Sequence, residues 1–472
     1  MFCFRISFLY HAILIMGIIW IYPVSISSAG PSRPDTSETM IEAPVFQGRA
    51  YLYEAGKQFA KSVVLVHGLG AGASRDWEMI LPSLAEKYHV LAFDLPGFGR
   101  SDGGNKLYSP ENYVAFMKSL INRLAKVPIH LIGHSMGGAI SLRYAASHPD
   151  DVDRLVLIDA SGILHRHAYS RHLVQTGIRK IPSFHPLQEG RLRQFAGTIL
   201  ERISGKPIPD DLILYSALTR EKILQGDPAK IAAFSLAVDD ISPIISNVRT
   251  PALIIWGEKD DIAPVRTGKM LAALIPDSEL RILGGIGHSP IKESPDQVKE
   301  LILGHLEKKS DSATVQAKSS SDGPPKKNGR CEDREGMVFE GGYDTIEIVN
   351  CRNAILKNVK ARSLLILDSE VEIEKSDFNS PDETVIAFRS KVIFTGGKVE
   401  GDVAITSKGS KFDIAGTMLV GKSAALKSIP DDAAPADHPA VTSVLFSVTP
   451  VQSPHSSGYR HGPFSILPEK PL

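Results

Sequence analysis

Six short apolar runs between residues 62 and 284 restrict the fold of this chain more than any other feature: "SVVLVHG", "HVLAFDL", "IHLIGHS", "RLVLIDA", "ALIIWGE" and "SELRILG". Each is aliphatic or β-branched almost throughout, as suits a strand covered on both faces, and helical patterns alternate with them. That alternation predicts an α/β fold with a mostly parallel sheet. Ser109 with Pro110, and Ser294 with Pro295, each supply a helix cap followed by a proline at the first helical position. The helices they open carry apolar stripes, Val114, Leu120, Ile121 and Leu124 in one and Val298, Leu301, Ile302 and Leu306 in the other. Between the fourth and fifth runs, about 161–248, helical patterns continue without strands. This stretch reads as an inserted helical cap over a pocket.

A chain of 472 residues with 43% hydrophobic content has enough apolar material for two folded units. Residues 308–330, rich in Ser, Lys, Pro and Gly, form the expected linker. Beyond it, over 331–427, the period changes to short alternating strands. Ile346, Leu365, Val385 and Val403 form one track at spacings of 19, 20 and 18 residues, and Val359, Phe378, Val399 and Leu419 a second at 19, 21 and 20. Stacked rungs of this period predict a small all-β, β-helix-like domain, with an antiparallel sandwich as the rival. Residues 428–472 hold eight prolines and read as an extended tail, apart from "AVTSVLFSV", which could cap the stack.

The first residues set a single cation, Arg5, before an apolar stretch from Ala12 to Tyr22, then Pro23 and the small residues Ser27, Ser28 and Ala29. That order predicts a signal peptide over 1–29 and export to the periplasm or the medium, with an uncleaved membrane anchor as the alternative. Export would permit a disulfide between Cys331 and Cys351, which lie one repeat apart. Lys plus Arg and Asp plus Glu both total 53, so no global field favours nucleic acid or an anionic membrane.

The chemistry centres on "LIGHSMGG". Ser135 sits between Gly133 and Gly137 where a strand runs straight into a helix, and a turn that sharp needs glycines on either side of an exposed hydroxyl. A serine needs a base to take its proton. His134 is adjacent but leaves the turn in another direction; His288, in "LGGIGHSP" after the last strand, is the candidate. The acid that orients the imidazole could be Asp260 or Asp261 in "WGEKDDIAP", or Asp159 in "LVLIDASG". In "VHGLGAG" the amide of Leu69 can point to the same place as the amide of Met136, making an oxyanion hole in which each donor is typically worth about 3–4 kcal/mol. His67 reads as structural. The scheme calls for neither metal nor cofactor.

Together, "HGLG", "DLPGFGRSD", "GHSMGG", "WGEKDDIAP" and "GGIGH", in this order over about residues 45–307, resemble the α/β-hydrolase superfamily and its capped serine-hydrolase branch. The resemblance implies the α/β-hydrolase fold over 40–307, and its Gly-x-x-Asp turn selects Asp260 through Gly257. It also implies an acyl-enzyme mechanism on a small-molecule or lipid-like ester, as in a carboxylesterase or lipase. Carbon–carbon bond hydrolases and amidases would use the same residues. The β-repeat falls outside the resemblance; surface or polymer contact is its expected role, and a non-catalytic binding protein built on that surface is the remaining alternative.

Overall fold

The computed structural model describes residues 35–165, 167, 210–308, 327–430, 441–467 and 472. The expected signal peptide, much of the cap and most of the linker lie outside the described residues.

Eight strands form the first sheet: β1 (Thr36–Ala43), β2 (Gly48–Ala55), β3 (Ser62–Val66), β4 (His89–Phe93), β5 (Ile129–His134), β6 (Val152–Ile158), β7 (Ala252–Gly257) and β8 (Ser278–Leu283). Their order is β1-β2-β4-β3-β5-β6-β7-β8. β1 and β2 pair antiparallel with each other, and β2 pairs antiparallel with β4; all other pairs are parallel. The six apolar runs are therefore β3 to β8. In β3, Val63 and Leu65 face one buried layer while Val64 and Val66 face the other, which is why this run lacks polar alternation; β8 differs from the expectation, being half-exposed because it is the edge strand.

Helices α1 (Pro110–Leu124) and α2 (Met136–Ser147) follow β4 and β5. Ser109 Oγ accepts from the Asn112 amide at 3.2 Å, so the predicted cap is made. Between β6 and β7, where the cap is expected, the described helices are α3 (Asp210–Tyr215), α4 (Ala217–Leu224) and α5 (Pro228–Val238). After β7 comes α6 (Val265–Leu274), and after β8 comes α7 (Pro295–Leu306). Ser294 precedes α7 without accepting from its amides; its hydroxyl donates to Gln297 instead.

The C-terminal region is all-β: β9 (Gly329–Glu332), β10 (Val338–Val349), β11 (Ala354–Leu367), β12 (Glu370–Asn379), β13 (Glu383–Phe388), β14 (Lys391–Lys408), β15 (Lys411–Ala415), β16 (Met418–Ser428), β17 (Thr442–Gln452) and β18 (Ser457–Ile466). Every pair is parallel except β17 with β18, which leaves no antiparallel sandwich. Two corrections follow. The buried track runs Ile346, Leu364, Val385, Ile405, because a shift of one residue sends a side chain to the opposite face; Leu365 accordingly points outward. Phe378, Val399 and Leu419 align as expected, but Ala361 rather than Val359 stands opposite Phe378. The Pro-rich tail is not simply extended either. β17 adds a rung and β18 folds back on it, with prolines 450 and 463 accommodated in these last two strands.

One corner of the stack explains how rungs of unequal length stay aligned. The Cys351 amide donates to Ser369 Oγ (2.9 Å), the Ser369 amide to Ser390 Oγ (3.1 Å) and the Ser390 amide to Ser410 Oγ (3.1 Å). Each of these residues follows one with left-handed backbone: Asn350, Asp368, Arg389 and Gly409. At the first rung the ladder ends in Cys351, which is disulfide-bonded to Cys331.

The two sheets meet at α6. Arg266 donates through Nε to Thr395 Oγ1 (2.8 Å) and through Nη2 to the carbonyls of Phe394 (2.8 Å) and Asp413 (3.0 Å), and its Nη1 pairs with Asp413 Oδ1 at 2.9 Å. Both side chains are largely withdrawn from water. Removing one member of a buried pair leaves the other charge desolvated, so Arg266→Ala is expected to destabilise the protein by about 3–5 kcal/mol. Urea denaturation checks this, and a loss under about 1 kcal/mol, the value of an exposed pair, would contradict it.

Candidate active site

The strand order reverses between β3 and β5, and α/β sheets bind ligands in the crevice at the carboxyl ends of strands that flank such a point. The loop His67–Gly70 leaves β3 there, and Ser135 leaves β5 beside it. Ser135 has φ 54° and ψ −120°, a conformation side chains rarely adopt. The turn closes only around glycine: a Cβ on Gly133 would lie 2.3 Å from the Gly137 carbonyl oxygen, and one on Gly137 would lie 2.1 Å from that of Val66. The strain is held by the Ser135 amide, which donates to the Ile158 carbonyl at 2.9 Å.

His288 arrives on the loop after β8. Its Nε2 lies 2.9 Å from Ser135 Oγ, and its Nδ1 lies 2.8 Å from Asp260 Oδ2. The other Asp260 oxygen accepts from the amides of Ile262 and Ala263, both at 2.8 Å, so the carboxylate is fixed by its own turn. Asp261 is exposed on the far side of that turn. The structure thus brings Ser135, His288 and Asp260 into one hydrogen-bonded chain, all three buried. Burial opposes charge on His288, but the adjacent Asp260 charge and hydrogen bond outweigh it and hold the imidazole up at about 9.

Asp159, at the tip of β6, is fully buried and close by. Ligating atoms of Asp159, Asp260 and His288 all lie within 4.8 Å of one another. Asp159 Oδ1 accepts from the Gly257 amide at 2.9 Å, while Oδ2 has no hydrogen-bond partner among the described residues. Burial, reinforced by the Asp260 charge, pushes the Asp159 carboxyl well above the usual carboxylate range. A cation among these three groups would have to displace the His288–Asp260 hydrogen bond.

His134 donates from Nε2 to the His288 carbonyl at 2.8 Å, steadying the loop that carries His288. Burial, with help from the nearby His288 charge, drops His134 to about 4, so it is neutral. His67 bridges the ends of two strands: its Nε2 accepts from the Leu95 amide (2.8 Å) and its Nδ1 donates to the Gly68 carbonyl (2.6 Å). It therefore shapes the loop that presents Leu69. A Cβ on Gly68 would lie 2.8 Å from Ser135 Cβ, which shows how closely this loop approaches the serine. Met136 is the first residue of α2, where helix amides have no intrahelical acceptor.

Around these groups is a small open cleft lined by Gly68, Leu69, Asp76, Ser135, His288 and Lys292, among others. Lys292 Nζ pairs with Asp76 Oδ1 at 2.6 Å at its edge. Asp76, Lys292 and Ser161, which contacts Ser135 Oγ at 3.3 Å, carry no motif that would single them out in sequence.

The alpha/beta hydrolase family model matches residues 63–301, half of the chain and all of the elements that build this site. The chain belongs to the α/β-hydrolase family. This hydrolase is 31% identical over 260 residues to the uncharacterized hydrolase YugF of Bacillus subtilis (strain 168), covering 51% of this chain and 88% of that protein. It is 29% identical over 235 residues to the 2-hydroxy-6-oxo-2,4-heptadienoate hydrolase of Pseudomonas putida, covering 48% and 82%. With Lipase 1 of Psychrobacter immobilis it shares 28% identity over 256 residues, covering 52% and 77%. The family match ends ahead of the C-terminal β region of the hydrolase.

Proposed function

We propose that this α/β hydrolase is an exported serine hydrolase that cleaves ester-type bonds through an acyl-enzyme, in the manner of a carboxylesterase or lipase. The observation that carries the reading is the buried chain Ser135–His288–Asp260 on a strained strand-to-helix turn. Ser135 attacks the carbonyl as His288 takes its proton, and Asp260 stabilises the imidazolium. The amides of Leu69 and Met136 receive the oxyanion. His288 then draws a proton from water, which releases the acid. Labelling by a fluorophosphonate, mapped by peptide mass spectrometry to Ser135, tests this; a protein inert to the probe from pH 6 to pH 10 would instead be a binding protein on a silent hydrolase fold.

His288 must be neutral to act as base. An imidazole held at about 9 predicts that kcat/KM for p-nitrophenyl esters rises with pH to a midpoint near that value. A midpoint near 6.5, that of an unperturbed imidazole, would show that Asp260 does not support the charge.

A second reading, carbon–carbon bond hydrolysis on the same residues, is favoured by the similarity to 2-hydroxy-6-oxo-2,4-heptadienoate hydrolase. Assaying a dienoate substrate beside a chain-length series of esters separates the two. Export is proposed from the amino-terminal pattern and is supported by the Cys331–Cys351 bond, since disulfides persist in oxidising compartments. No helix among the described residues is long and apolar enough to cross a membrane. We read the C-terminal region as a short parallel β-helix, supported by its parallel rung-on-rung pairing, and propose that its outer face contacts a surface or polymer.

A further inference from the structure

Ser161 lies three residues past the end of β6, is buried, and has its Oγ 3.3 Å from Ser135 Oγ. Its amide donates to the Ser135 carbonyl at 3.2 Å, so the β6 exit is tied to the turn that carries Ser135. The contact is close-packed as well as hydrogen-bonded: a Cβ on Gly138, in the first turn of α2, would lie 2.7 Å from Ala160 Cβ. Ser161 Oγ thus has a fixed seat.

Proton counting gives that seat a direction. In the reactive form the neutral His288 donates a hydrogen bond from Nδ1–H to Asp260, so Nε2 can only accept, and it accepts a hydrogen bond from the hydroxyl of Ser135. The hydrogen between the two hydroxyls must then come from Ser161. Among the described residues Ser161 Oγ has no other partner.

We propose that Ser161 is a further catalytic residue, whose hydroxyl donates to Ser135 Oγ and acts chiefly in deacylation. The proposal rests on the acyl-enzyme reading above. In deacylation His288 takes a proton from water, the water oxygen bonds to the acyl carbon, and the bond from that carbon to Ser135 Oγ breaks. The electron pair passes to Oγ, followed by the proton from His288. Oγ changes from an ester oxygen, a poor acceptor, into one carrying developing negative charge, so the Ser161 hydrogen bond strengthens along the step. In acylation the same oxygen starts as a hydroxyl and ends as an ester, so the bond gives no such help. Only interactions stronger in the transition state than in the state before it accelerate a step.

Stopped-flow hydrolysis of p-nitrophenyl acetate by the full chain separates the two steps. Removing one hydrogen bond to a charged group should slow deacylation by about tenfold in Ser161→Ala, with acylation changed by less than about twofold. The nitrophenol burst should approach one per active site, and its amplitude also counts correctly folded sites. Ser161→Thr keeps the hydroxyl and should keep the wild-type ratio of the two rates. Equal slowing of both phases, unchanged deacylation in Ser161→Ala, or a threonine variant that behaves like alanine would overturn the proposal. Absence of an acetyl adduct on Ser135 in the wild type is a different outcome, which removes the acyl-enzyme reading itself.

Discussion

Ser135→Ala is expected to lower kcat on p-nitrophenyl esters by roughly a million-fold while leaving the fold intact, the size of loss seen when a nucleophile acting in concert with its base is removed. Here the loss should be close to complete because, among the described residues, no second hydroxyl contacts His288. Ser161 contacts Ser135 Oγ and not His288, so it has no base. Alanine fits the site without new contacts and keeps the same strained backbone, so the thermal midpoint should move little. The measurement is ester turnover beside fluorophosphonate labelling. Retained labelling at another residue of the alanine variant would show that the nucleophile lies elsewhere.

The second large effect distinguishes two buried aspartates. Asp260→Asn should cut turnover by roughly ten-thousand-fold, because an amide nitrogen facing Nδ1 favours the tautomer that cannot accept the Ser135 proton. Its charge is also what raises His288, so whatever activity remains should titrate at lower pH than in the wild type. Asp159→Asn should differ sharply. Burial already disfavours charge on that side chain, and an asparagine oxygen can still accept from the Gly257 amide. Its turnover is expected to stay within about tenfold of wild type, the weight of one modest polar interaction. If instead Asp159→Asn abolishes activity and Asp260→Asn does not, the acid comes from the end of β6, and "WGEKDDIAP" is only a turn.

Much of this was readable from local pattern. Apolar runs covered on both faces announced β3 to β7, since a strand buried on two sides has no polar alternation to disguise it. β8 was found although it is half-exposed at the sheet edge; β1, at the other edge, was missed because a half-exposed strand leaves a weaker trace, and the mostly buried β2 was missed with it. Ser135 declared itself through Gly133 and Gly137, whose need is steric and therefore local. His288 followed from its place after the last strand.

What remained needed the third dimension. Asp260, Asp261 and Asp159 are equally acidic in the sequence; only the folded turn commits one Asp260 oxygen to its own amides and the other to His288, while Asp159 accepts from the Gly257 amide. In the β region the spacing of about 20 residues announced stacked rungs, yet the choice between Leu364 and Leu365 depends on which face the preceding corner turns inward. The contact of Ser161 with Ser135 joins residues 26 apart through the packing of one strand end on one helix. The sequence alone determined which segments become strands and which residue types can do chemistry, because steric need and apolar burial are written into neighbouring positions. Tertiary structure decided which carboxylate meets the imidazole, which face is buried and which hydroxyls meet, because those depend on atoms brought together from distant parts of the chain.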